Sequence, residues 1–76
     1  MFDHEQFRKL RKAKFKSLGE AGEASGMNGS HLGEIELGKK VPKLDTLWVL
    51  LRSYGYELEI YAVKAQGESR LSHRLF

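Results

Sequence analysis

The stretch "GMNGSHLGEIELG", residues 26–38, constrains the fold more than any other part of the chain. Leu32 and Ile35 are three residues apart, which is the spacing of one face of a helix. Asn28 precedes them as a typical N-cap, and the glycines at the two ends suit left-handed positions that stop helices. The sequence therefore predicts a short helix over about 28–37, entered through a tight glycine turn.

Capping signals and apolar spacing predict three further helices. Ser17 and Glu20 form a capping box at the start of one helix, in which Ala21 and Ala24 are predicted to face inward. A similar pair begins at Asp3 and starts the first helix. Leucines at helical spacing after the single proline predict the last helix. The four predicted helices cover residues 4–14, 18–25, 28–37 and 44–54.

After the fourth helix the pattern changes to strict alternation. The stretch "YELEIYAV" has period two and is rich in β-forming residues, so it predicts a strand over about 57–63. A single strand cannot form a sheet, and the simplest partner is the same strand of a second chain. The tail, 64–76, has no clear period and is predicted to be mobile. The residues assigned to the dimer strand are Glu57, Leu58, Glu59, Ile60 and Tyr61.

These predictions divide the chain into a helical domain, 1–56, and a C-terminal dimerisation strand with a flexible tail, 57–76. A chain of 76 residues has a marginal core, so dimerisation or another partner is expected to help stabilise it. The chain has no cysteine, and His4, His31 and His73 lack ligand spacing, so no disulfide, metal or other cofactor is expected. No apolar run reaches membrane-spanning length, and the expected location is the cytoplasm.

Charge is distributed unevenly along the chain, whose net charge is +3 at pH 7. Six cations lie within residues 8–16, and Lys39, Lys40 and Lys43 form a second cluster. The stretch between them, 17–38, contains four glutamates and no Lys or Arg. Two basic clusters on either side of an acidic middle favour an anionic partner.

Four segments occur at the spacing of one known family: "LRK" at 10–12, "SG" at 25–26, "SHLGEIELGK" at 30–39 and "PKLDTL" at 42–47. From Leu10 to about Leu58 the chain resembles the Cro/phage-repressor helix-turn-helix regulators, often called Xre-like. The resemblance implies a mainly α, lambda-repressor-like domain of about four helices, here followed by one C-terminal β-strand. It also implies a third helix in the major groove of double-stranded DNA and a homodimer on a two-fold-related operator.

The DNA-facing positions of this family fall on the third helix and on the loop after it. The loop lysines are expected to lie along DNA phosphates. The two glycines on the helix stand where longer side chains usually recognise bases, and each costs about 1 kcal/mol relative to alanine. They mark tolerant exposed sites, a loss of tight DNA binding, or a bare backbone that approaches DNA closely. The residues at these positions are Asn28, Gly29, Ser30, His31, Gly33, Glu34, Lys39, Lys40 and Lys43.

Arg11 and Glu36 occupy positions that the family uses for an internal ion pair between the first and third helices. Each follows a core-facing residue, so both are expected at the edge of the core, where Arg can bind a carboxylate through two hydrogen bonds. The role that we expect for this pair is structural. It would set the third helix against the first.

The sequence therefore favours a DNA-binding transcriptional regulator, most simply a repressor that acts as a homodimer. An enzyme is not expected, because the chain lacks a cysteine nucleophile and any recognisable serine nucleophile motif. Small family members with a C-terminal strand resemble the antitoxins of toxin–antitoxin pairs. The alternative is thus an antitoxin or adaptor whose main partner is a toxin or other protein. The scarcity of base-recognising side chains favours this alternative, and the two basic clusters oppose it.

Overall fold

The described part of the chain, residues 2–63 and 72–75 of the computed structural model, contains four helices and two short strands. The predicted mainly helical fold is confirmed, and each predicted helix boundary lies within about one residue of the observed boundary. The helices are α1 (His4–Lys14), α2 (Leu18–Ser25), α3 (Gly29–Glu36) and α4 (Leu44–Ser53). The strands are β1 (Tyr61–Val63) and β2 (Ser72–Arg74).

Local capping explains where the helices begin and end. Asp3, Ser17 and Asn28 each accept a hydrogen bond from a backbone N–H in the first turn of the helix that follows. Lys43 precedes α4 and makes no such side-chain contact. Glycines in the left-handed conformation, which lacks a steric penalty only without a Cβ atom, follow α2, α3 and α4. These glycines are Gly26, Gly38 and Gly55.

The core lies where the four helices meet. Ala24, which was predicted to face inward, is exposed, so this prediction is wrong. The inner side of α2 instead carries Ala21, Gly22 and half-buried Ser25, whose hydroxyl donates to the carbonyl oxygen of Ala21 at 2.8 Å. A serine that satisfies its own hydroxyl within the helix can face the core. The buried apolar residues are Phe7, Ala21, Leu32, Ile35, Leu50 and Tyr54.

The C-terminal strand differs from the prediction in length and in partner. Only Tyr61–Val63 of the predicted 57–63 forms a strand, and it pairs antiparallel with Ser72–Arg74 of the same chain. The expectation that the strand lacks a partner within its own chain is therefore wrong. Part of the predicted mobile tail forms β2, whereas positions 64–71 and 76 lie outside the described residues.

Pairing continues one residue beyond the two strands, and a polar network crosses them. The N–H of Leu75 donates to the carbonyl oxygen of Ile60 at 2.7 Å. Glu59 accepts a hydrogen bond from the Tyr61 hydroxyl at 2.7 Å and forms a 3.4 Å ion pair with Arg74. Three of the five predicted dimer-strand residues, Glu59, Ile60 and Tyr61, therefore make these contacts within their own chain.

Candidate nucleic-acid interface

The turn between α2 and α3 requires glycine at position 22. A Cβ atom at Gly22 would lie 2.5 Å from the carbonyl oxygen of Met27 and 3.3 Å from the backbone nitrogen of Gly29. The chain folds back over α2 at this point, and Met27 N–H donates to the carbonyl oxygen of Gly22 at 2.8 Å. The start of α3 therefore packs directly on the backbone of α2, and this contact fixes its position.

The two glycines within α3 also face α2. A Cβ atom at Gly29 would lie 3.4 Å from the carbonyl oxygen of Leu18, and one at Gly33 would lie 3.3 Å from Leu18 Cδ1. Both glycines are half-buried, so they are not the tolerant exposed sites that one interpretation of the sequence required. Their small size allows α3 to approach the first turn of α2. This packing explains the glycines without any contact to DNA.

Exposed polar side chains lie at both ends of α3. At its start, Asn28 and Ser30 are exposed, and Asn28 Oδ1 accepts a hydrogen bond from the Ser30 N–H at 2.7 Å. In the loop that follows its end, Lys39 and Lys43 are exposed and form no ion pair within the described residues. We call these four residues, Asn28, Ser30, Lys39 and Lys43, the candidate DNA face.

Three further residues predicted to touch DNA are less available. His31 and Glu34 are half-buried on α3. Glu34 also forms a 3.3 Å ion pair with Lys40, in which both side chains keep roughly half of their exposure. The carboxylate offsets the charge of Lys40, so this lysine is a weaker candidate for a phosphate contact than Lys39 or Lys43.

A buried ion pair connects α1 to the end of α3. Arg11 Nε donates to Glu36 Oε2 at 2.9 Å, and Arg11 Nη2 donates to Glu36 Oε1 at 2.8 Å. The residues are only 4% and 5% exposed, and hydrogen bonding to Glu36 raises the pKa of Arg11 above its usual value. Arg11 Nη1 also donates to the carbonyl oxygens of Phe15 and Lys16. We call the Arg11–Glu36 pair the clamp, because it joins α1, the loop after it and α3.

Comparison with protein families identifies this arrangement. A family model described as helix-turn-helix matches residues 7–61, which include most of α1 and all of α2, α3 and α4. The chain belongs to the Cro/phage-repressor-type, or Xre-like, helix-turn-helix family. Comparisons with curated proteins and with solved structures gave no match. Membership of this helix-turn-helix family supports a DNA-binding regulator, and it supports the lambda-repressor-like fold.

The helix-turn-helix domain contains a second contact at the clamp that the sequence did not predict. His4 Nδ1 lies 3.0 Å from the carbonyl oxygen of Glu36, at the end of α3. The imidazole ring also packs on Gly38, where a Cβ atom would lie 2.8 Å from two ring atoms. No local signal marks this role, because His4 and Glu36 are 32 residues apart. Arg11 and His4 of α1 thus hold the end of α3 in place through Glu36.

The basic cluster of α1 does not form a single surface of this helix-turn-helix domain. Arg11 is buried in the clamp, and Arg8 Nε lies 3.8 Å from Glu36 Oε1. The lysines of the cluster are exposed at different angles around the helix axis.

None of the described helices is long and apolar enough to cross a membrane. The described residues also include no group of three or more His, Asp or Glu side chains placed to hold a metal ion.

Proposed function

We propose that this helix-turn-helix protein is a transcriptional repressor that binds operator DNA as a homodimer. α3 enters the major groove, and the bound dimer excludes polymerase from the promoter. The observation that carries the proposal is that the contacts which position α3 leave the candidate DNA face free. α3 is fixed on α1 and α2 through the clamp and the glycine contacts, and the four exposed residues of the face lie at its two ends.

Affinity in this proposal comes mainly from the loop after α3. Lys39 and Lys43 are exposed and form no ion pair within the described residues. Each lysine that neutralises a phosphate releases condensed counterions, so binding is strong at low salt and weak at high salt. Lys40 contributes less, because its ammonium group is paired with Glu34. The affinity gained from these phosphate contacts does not depend on the DNA sequence.

Specificity has fewer sources. Ser30 is exposed in the first turn of α3 and can hydrogen-bond to a base edge, although serine discriminates poorly among bases. Asn28 is engaged as a helix cap through its side-chain oxygen, which leaves its amide N–H groups for DNA. DNA shape and the spacing of the two half-sites supply the remaining discrimination.

Fluorescence anisotropy with two labelled duplexes tests the proposal. One duplex carries the region upstream of the coding sequence, and the other carries the same bases in scrambled order. We expect tighter binding to the upstream duplex, and we expect Ser30→Ala to reduce the difference between the two duplexes. Equal affinity for both duplexes at every salt concentration would contradict a sequence-specific repressor.

A protein-interaction module, such as an antitoxin or adaptor, is the alternative. An open apolar groove lined by Leu44, Trp48, Leu58 and Ile60 favours it, because such a surface suits a protein partner. The anisotropy experiment also separates the two functions. If the folded protein, as judged by circular dichroism, binds no duplex even at low salt, the interaction module replaces the repressor.

A further inference from the structure

The outer side of α4 carries an apolar stripe, Leu44, Trp48 and Val49, that stays about half exposed. Leu44, Trp48 and Val49 retain 52%, 44% and 45% of their exposure. The opposite side of α4 is the one that enters the core, through Leu50 and the half-buried residues beside it. Three large exposed apolar side chains on one short helix form the kind of surface through which proteins interact.

The chain after α4 extends this apolar surface. Leu58 and Ile60 line a groove of about 450 Å³ together with Leu44, Asp45 and Trp48. Four of these five side chains are apolar, and the groove is open on its outer side. Leu75 lies beside the groove wall, since its N–H donates to the carbonyl oxygen of Ile60, and it is 62% exposed. The apolar surface is therefore wider than α4 alone.

Opposite charges are placed symmetrically about the middle of this stripe. Asp45 lies in the first turn of α4, and Arg52 lies in the last turn. They are seven positions apart, so they point in directions that differ by only about 20° around the helix axis. Their midpoint falls between Trp48 and Val49. Neither charge forms an ion pair within the described residues, and the Arg52 guanidinium lies over the Trp48 ring, 5.5 Å from its centroid.

We propose that a second copy of this chain covers the stripe, with the two α4 helices antiparallel and the two-fold axis passing between Trp48 and Val49. A two-fold rotation about that point places Asp45 of each copy against Arg52 of the other. A parallel arrangement would instead bring like charges together. The charge pattern of α4 is therefore complementary to the same pattern in a second, antiparallel copy. This complementarity favours a second copy over an unrelated partner.

This inference rests on the proposed function in one respect, because it supplies the contact of the proposed homodimer. It places that contact on α4 and not on the predicted strand, of which Tyr61–Val63 pairs with Ser72–Arg74 of the same chain. The copy's Trp48 enters the groove beside Leu58 and Ile60. Covering this surface also removes apolar area from water in a chain whose own core is small.

Charge reversal followed by light scattering tests the inference. The parent is expected to be a dimer at about 100 µM, as are two controls at other exposed positions, Glu23→Arg on α2 and Lys9→Asp on α1. Asp45→Arg and Arg52→Asp should each weaken the dimer at least ~10-fold, because like charges then face each other across the axis. The double variant Asp45→Arg/Arg52→Asp should recover the dimer, and an equimolar mixture of the two single variants should form a heterodimer.

Trp48 provides a second readout, because it is the single tryptophan of the chain. Its emission should shift to shorter wavelength as the parent concentration rises, and it should not shift for either single variant. Circular dichroism establishes that every variant folds.

A monomeric parent at about 100 µM would overturn the inference, as would single variants that remain dimers. A different result would show that the proposed repressor function is wrong while the dimer contact is right. In that case no duplex binds, while the charge-reversal pattern in the scattering masses persists.

Discussion

The two ends of α3 are held in different ways. At the C-terminal end of α3, long side chains of α1 hold the helix. They do so through the buried clamp of Arg11 and Glu36 and through the contact of His4 with the carbonyl oxygen of Glu36. At the N-terminal end of α3, Gly22 and Gly29 have no side chains, so the backbone of α3 packs directly on the backbone of α2. None of these contacts uses the candidate DNA face. Ser30, the exposed residue of this face within α3, can therefore change without altering these contacts.

Breaking the clamp is expected to have the largest effect on stability. Glu36→Ala leaves the Arg11 guanidinium buried without its carboxylate partner, and we expect a loss of roughly 3 kcal/mol in the free energy of unfolding. Urea denaturation measures this loss.

Glu34→Ala is the matched control on the same helix, because its ion pair with Lys40 is exposed. We expect this control to change stability by less than about 0.5 kcal/mol. A clamp variant that loses under about 1 kcal/mol would show that water shields Arg11 and that the clamp does not hold α3.

At the start of α3, adding a methyl group to a glycine that packs against the backbone should destabilise the contact between α2 and α3. Gly22→Ala places a Cβ atom 2.5 Å from the backbone oxygen of Met27, which cannot rotate away. We expect a loss of about 2 kcal/mol from the forced separation of α2 and α3, again by urea denaturation.

Gly19→Ala on α2 is the control for the glycine comparison. A Cβ atom there would lie 3.8 Å from its nearest neighbour, Ser17 Oγ. Because alanine is the better helix former, this variant should gain up to about 1 kcal/mol. Equal gains in both glycine variants would mean that the close approach of α3 to α2 is not needed.

A smaller effect is expected at Tyr54, which is buried beside the clamp. Its hydroxyl has no hydrogen-bond partner among the described residues, and burial raises its pKa to about 12. Tyr54→Phe removes an unsatisfied hydroxyl, so we expect a gain of about 1 kcal/mol at neutral pH. Tyr56→Phe, at an exposed ring, should change little.

The raised pKa of Tyr54 also predicts a pH dependence. The folded protein disfavours the ionised phenol, so ionisation of Tyr54 costs no stability below about pH 10, the usual pKa, and lowers stability as pH rises from 10 toward 12. Tyr54→Phe should lose less stability over that interval in denaturation curves at several pH values. Parallel losses in parent and variant would assign the effect to other groups.

Most helices of this chain follow from local signals, which is why the sequence predicted them well. The caps Asp3, Ser17 and Asn28 act within one turn of their own positions, and the glycine stops act within two residues. The clamp was predicted for another reason. Arg11 and Glu36 occupy positions that the resemblance marks as paired, although they are 25 residues apart.

The features that the sequence did not predict depend on contacts between distant segments. β2 has three residues, too few to show a period, and its pairing with β1 spans a connection of eight positions. The position of His4 against Glu36 has no local signal either. The role of Gly33 depends on Leu18, which reaches it from the first turn of another helix. In each case the role of the residue depends on a contact with a distant segment, and the sequence around the residue does not show that contact.

The salt dependence of DNA binding tests the central claim most directly, because it counts the phosphates that the loop after α3 contacts. If Lys39 and Lys43 contact phosphates in both subunits, the logarithm of affinity should fall against the logarithm of salt with a slope of about −4. Lys39→Ala should flatten that slope by about 2 on any duplex, and Lys9→Ala, on the outer side of α1, should not change it. A slope that Lys39→Ala and Lys43→Ala both leave unchanged would contradict the account, because α3 and its loop would then not lie on DNA.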